Sequence, residues 1–129
     1  MDLEYSIREG NCGLVRYSVI EFGKEINFSH LDALRTLLDI QIEDKNLFIV
    51  LDLEKVRILY SVHVGVLFAA AKKIDKLKGK LAFINTKPQI ITTLNVMGMT
   101  SYFDFYESEE EVIETWEKLD GGDIPDPIS

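Results

Sequence analysis

Few side chains in this sequence suit covalent or proton chemistry, and those few are dispersed. The histidines are His30 and His63, and the one cysteine is Cys12. A thiol activated by an imidazole would make a nucleophile, but Cys12 has no histidine near it in sequence. Each histidine falls in the first turn of a helical pattern and is expected to be solvated. Two lone histidines make a poor metal site. A single thiol excludes a multi-thiolate zinc site and an intramolecular disulfide. The phosphate loop GxxxxGKS/T, the dinucleotide turn GxGxxG and the HExxH pair are absent. A magnesium-dependent acceptor aspartate needs clustered carboxylates after an early strand. Glu21 stands alone after Leu14–Ile20, and Asp52 lies within a strand pattern. No catalytic group, metal or cofactor is expected, and the chain does not read as an enzyme.

The hydroxyl of Ser61 is the remaining candidate. It stands where a loop leaves an apolar strand and a helical pattern begins. A serine there can cap the helix by accepting an orphan backbone N–H. Alternatively it can carry a phosphate, which adds about −1.5 to −2 charges at a helix end whose dipole tolerates them. The fold would survive, and a partner lying across the turn would meet new bulk and charge. Both readings stay open at this point.

The elements that must position Ser61 follow from two hydrophobic periods. Leu3, Tyr5 and Ile7 alternate with polar residues, as in a strand with one wet face. Leu14–Ile20 reads as a second strand, joined to the first by a short turn at Asn11–Gly13 and paired antiparallel to it. Leu47–Leu53 and Lys80–Asn85 are nearly continuous apolar runs that suit strands buried on both faces. Tyr102–Tyr106 is a last strand. Leu31, Leu34, Leu38 and Ile42 mark a first helix, with Ser29 and Asp32 as a capping box. Val64, Leu67, Ala71 and Ile74 mark a second, stopped at Gly79. Pro88 opens a short third helix that ends at Gly98. Ser108–Glu111 caps a fourth, whose buried stripe is Val112, Ile113, Trp116 and Leu119. Strands separated by helices imply right-handed crossovers and a mostly parallel sheet covered on both faces. The expected class is α/β, with about five strands and four helices and the first strand antiparallel. A single domain over 1–120 and a frayed tail over 121–129 complete the organisation.

Composition narrows the function classes. The chain has 129 residues, 47% hydrophobic and 28% charged, which suits one globular domain. Its net charge of −8 argues against nucleic acid and against an anionic membrane surface. The N-terminus is too polar for a signal peptide, and no apolar run approaches a membrane span, so the cytoplasm is the expected location. Lys72, Lys73, Lys76, Lys78 and Lys80 read as a solvated face, and Met97 and Met99 as packing residues.

Several segments in order resemble the STAS domain, the module of anti-sigma factor antagonists and of the cytoplasmic ends of sulfate transporters. They are Val50–Leu53, Ser61–Leu67, Ala69–Lys73, Gly79–Asn85 and Leu94–Met99, preceded by Gly23–Asn27. The family typically reads as an apolar strand ending in D-L, then D-S-S-G-L-G-V-L leading a helix. Here Tyr60 replaces the first Asp, and Val62 and His63 replace the second Ser and the Gly. Asn27 takes the place of an Asp in the turn before the first helix. The resemblance implies a STAS-like fold and a phosphoacceptor role for Ser61. It also implies a partner that is an anti-sigma factor or serine kinase. The contact surface would comprise Tyr60, Ser61, Val62, His63 and Gly65 with Asn27, within the turns Ile58–Gly65 and Gly23–Ser29. A scaffold subunit without phosphorylation, a small-ligand module and a homodimer are the alternatives left open.

Overall fold

The computed structural model describes residues 2–118. The N-terminal hairpin is β1 (Tyr5–Cys12) and β2 (Val15–Phe22), followed by a 3-10 turn (Phe28–His30) and α1 (Leu31–Glu43). Then come β3 (Phe48–Asp52), α2 (Ser61–Lys76), β4 (Lys80–Ile84) and α3 (Pro88–Val96). A second 3-10 turn (Thr100–Tyr102), β5 (Asp104–Tyr106) and α4 (Glu109–Lys118) end the described chain. The sheet order is β1-β2-β3-β4-β5, with the first pair antiparallel and the other pairs parallel. This is the expected α/β architecture. The expectation for residues 121–129, and for Leu119 in the last helical stripe, lies outside the described residues.

Both faces of the sheet are covered, as expected, but unequally. The strand order advances in one direction from β2 to β5. Each right-handed crossover therefore lays its helix on the same side. One core accordingly joins Ile20, Ile49, Leu51 and Phe83 to Leu34 and Leu38 of α1, Val64 and Leu67 of α2, and Ile90 and Leu94 of α3. The other face carries α4, whose Val112 and Trp116 pack on Tyr17, Val19, Val50 and Ala82. Glu109 pins that helix by accepting from Arg8 (3.1 Å) and from the Tyr17 hydroxyl (2.8 Å). Hydrogen bonding from Arg8 holds the Glu109 carboxyl below its ordinary pKa, and burial with this carboxylate pushes the Tyr17 phenol up to about 12.

Local signals held at some ends and moved at others. Pro88 is the first residue of α3, and the Ser108 hydroxyl accepts the Glu111 N–H at 3.2 Å. Leu14 is not in a strand: it occupies the hairpin turn, 93% exposed, beside Gly13 at φ 62°. A glycine-first two-residue turn follows the strand twist. The last strand begins at Asp104, because Tyr102 is spent on the 3-10 turn.

Helices α1, α2 and α3 end alike. The left-handed residue is Lys45, Lys78 or Gly98, at φ 67°, 69° and 70°. In each, the next N–H reaches back into the helix: Asn46 to Gln41, Gly79 to Ile74 and Met99 to Leu94, all at 2.8 Å. The stop expected at Gly79 thus belongs to Lys78. A side chain in the left-handed region costs roughly 1 kcal/mol that glycine avoids. Lys45→Gly and Lys78→Gly are each expected to stabilise the fold by about 0.5–1 kcal/mol, read as a rise in urea midpoint at constant slope. A fall for both would contradict this account of the helix ends.

Candidate functional site

The entrance to α2 is built on two turns held together by side chains. After β3, the loop through Val56 and Leu59 is anchored by those buried residues and reaches Tyr60 in extended conformation (φ −88°, ψ 160°). Tyr60 is the N-cap and Ser61 the first helical residue. The cap group is His63: its Nδ1 accepts the Tyr60 N–H at 3.2 Å. That bond places the ring proton on Nε2, which donates to the Asn27 carbonyl at 2.9 Å. The preceding turn repeats the device, with His30 Nδ1 accepting the Asn27 N–H at 3.0 Å.

These bonds correct two expectations. His63 is fully buried and His30 is 4% exposed, so neither is solvated. A histidine three residues after a cap can return its ring nitrogen to the cap N–H, as Glu or Gln does in a capping box. The spacings Asn27-x-x-His30 and Tyr60-x-x-His63 carried that signal. The first helix is entered through the Asn27–His30 turn, not through a Ser29–Asp32 box. Asp32 instead pairs with Arg35 at 3.0 Å.

A second clamp was not foreseen. Glu25 accepts from the Arg57 backbone N–H at 2.8 Å and from its Nε at 2.7 Å. Partial burial opposes ionisation of Glu25, but these Arg57 bonds hold its carboxyl below the ordinary range. The turn after β2 is therefore tied twice to the approach to α2, by Glu25 to Arg57 in the loop after β3 and by Asn27 to His63 in the first turn of α2.

Ser61 is exposed, and its hydroxyl has no hydrogen-bond partner among the described residues. Capping is thus not its role. Around it Tyr60 is 39% and Val62 42% exposed, and Phe28, absent from the sequence reading, is 62% exposed. The Phe28 and Tyr60 rings lie 4.3 Å apart, and both neighbour the His63 ring. Gly65 is exposed with open space where a side chain would project, and Asn27 is exposed beside Phe28. The predicted residues thus meet on one surface, with His63 beneath it as support instead of on it.

Cys12 is elsewhere. It is buried under α4, where its Sγ donates to the Ile113 carbonyl at 3.3 Å. It shares neither core nor surface with the histidines, so no thiol–imidazole pair forms. No group of three metal-ligating side chains occurs among the described residues. No helix there is long and apolar enough to cross a membrane.

The family model described as the STAS domain matches residues 8–112. Solved structures share the fold at low identity. An anti-sigma factor antagonist from Mycobacterium paratuberculosis is 20% identical, covering 88% of this chain and 92% of that one, with a TM-score of 0.73. An anti-sigma-factor antagonist (STAS) domain protein from Planctomyces limnophilus is 18% identical, covering 89% and 97%, at 0.71. The phosphorylated form of the Bacillus cell fate determinant SpoIIAA is 16% identical, covering 87% and 98%, at 0.65. No curated protein sequence matches this chain.

Proposed function

The chain belongs to the STAS domain family, and from that premise we propose that it is a non-catalytic interaction module whose docking is switched at Ser61. The partner is an anti-sigma factor of the serine-kinase kind, met in the cytoplasm, and phosphate on Ser61 releases it. The observation that carries this reading is an exposed hydroxyl with no internal partner, standing at the first residue of α2 among the exposed side chains of Phe28, Tyr60 and Val62. A related fold, SpoIIAA, has been solved in phosphorylated and unphosphorylated forms. Tyr60 in place of an acidic residue gives the surface an aromatic anchor, and aromatic side chains supply much of the energy at interfaces.

The test uses the purified chain, ATP and serine kinases encoded beside it. An intact-mass gain of one phosphate, lost in Ser61→Ala, is expected. Ser61→Asp should fold normally and bind the kinase at least tenfold more weakly, about 1.4 kcal/mol by calorimetry. Absence of phosphorylation, together with unchanged affinity for Ser61→Asp, would leave a scaffold role instead.

A further inference from the structure

The two margins of the sheet are unequal. β5 is 3 residues long, whereas β1 runs for 8 with unbroken register against β2. Natural edge strands are usually shortened, bulged, or marked with proline or charge, lysine above all; β1 is neither short nor bulged, has no proline or lysine, and carries one charge of each sign, Arg8 and Glu9. Its open groups can be identified. The Gly23 N–H donates to the Glu4 carbonyl at 2.9 Å. Antiparallel ladders alternate bonded and non-bonded pairs, so Glu4, Ser6 and Arg8 bond inward to β2. The N–H and C=O groups of Tyr5 and Ile7 then face outward, unpaired by the sheet. Their side chains, 47% and 39% exposed, lie on the α1 side. Tyr5 also borders a groove of about 520 Å³ lined by Leu3, Ala33, Leu37 and Ile40.

We infer that this edge pairs with the same strand of a second copy, antiparallel about a two-fold axis at Ser6. A two-fold axis normal to the sheet puts residues of the same face opposite one another. An axis at Arg8 or at Glu9 sets that charge against its own copy, which is unfavourable. An axis at Ile7 sets Tyr5 against Glu9. At Ser6, Tyr5 meets Ile7 of the second copy, and Glu4 meets its Arg8. Both charged side chains have room for this contact, at 52% and 61% exposure, although each already has a partner in Lys24 or Glu109. Glu4-Tyr5-Ser6-Ile7-Arg8 is thus self-complementary in charge and apolarity, and the outward backbone groups fall into register.

The inference rests on no reading of Ser61. Sedimentation over a dilution series should show the mass of two copies for the wild type. Ile7→Lys should keep its circular dichroism and fall to the mass of one copy. Ser6→Cys should cross-link two chains on mild oxidation, since non-bonded partners bring Cα atoms to about 4.5 Å. Glu9→Cys should not, with its Cα atoms about 20 Å apart in this register. One-copy mass for the wild type at every concentration would overturn the inference. So would a persistent Ile7→Lys dimer, or Glu9→Cys linking as readily as Ser6→Cys.

Discussion

Replacing His63 with leucine is expected to cost the fold about 2 kcal/mol, because two part-buried backbone groups lose their partner together. The ring is fully buried and serves the Tyr60 N–H and the Asn27 carbonyl at once. Leucine matches the imidazole roughly in size but bonds neither group, and an unsatisfied group costs ~1–3 kcal/mol when buried, the lower end where burial is partial as here. His63→Gln separates the two contributions. Its amide oxygen can return to the cap N–H from the third helical position, as in a capping box, but does not reproduce the second tie. About half the loss should be recovered. Denaturant unfolding measures both variants. Amide exchange should show the Asn27–His30 turn opening more often in both, because its link to α2 is cut. A His63→Leu loss below about 1 kcal/mol would mean that water satisfies these groups, and the supporting role assigned to the ring would fall.

Gly79→Ala should be comparably severe for an unrelated reason. A Cβ there would lie 2.2 Å from the Leu47 carbonyl oxygen, 2.7 Å from Leu47 Cβ and 2.9 Å from Ile74 Cγ2. The first of these is backbone and cannot rotate away. That carbonyl accepts the Lys80 N–H at 2.8 Å, at the start of the β3–β4 pairing. Overpacking costs ~1–3 kcal/mol and loss of the hydrogen bond adds ~1 kcal/mol. A total of about 3 kcal/mol lowers the melting temperature by roughly 10 °C in a domain of this size. Gly65→Ala provides the contrast. Its Cβ meets nothing within 4 Å, so the same change in α2 should stabilise by about 0.5–1 kcal/mol. Parallel thermal scans of the two variants decide the matter. Equal effects would rule out close approach as the reason for glycine at 79.

Much of the fold was legible in the sequence because its signals are local. The apolar runs at Leu47–Leu53 and Lys80–Asn85 became central parallel strands, and Pro88 and Ser108 marked true helix starts. The exposure of the candidate surface was legible as a position, and its support from below was not. The environment of Ser61 depends on contacts across long sequence separations: Glu25 with Arg57, and Asn27 with His63. No periodicity encodes such pairs. Both histidines read as solvated from their first-turn positions, while here backbone groups replace their water. Phe28 escaped notice because its exposure gains meaning only through the Tyr60 ring beside it. The crowding of three helices onto one face follows from strand order, which becomes visible only when the sheet is assembled.

The double clamp between the turn after β2 and the entrance to α2 also bears on kinetics. A surface assembled before any encounter spends little free energy on ordering when a partner arrives. Changes to its exposed side chains should therefore appear mainly as shorter residence times, with the encounter rate moved less. Severing Arg57 from Glu25 should do the reverse of a lost contact: it would leave every touching atom in place and slow capture, because productive shapes would become rarer.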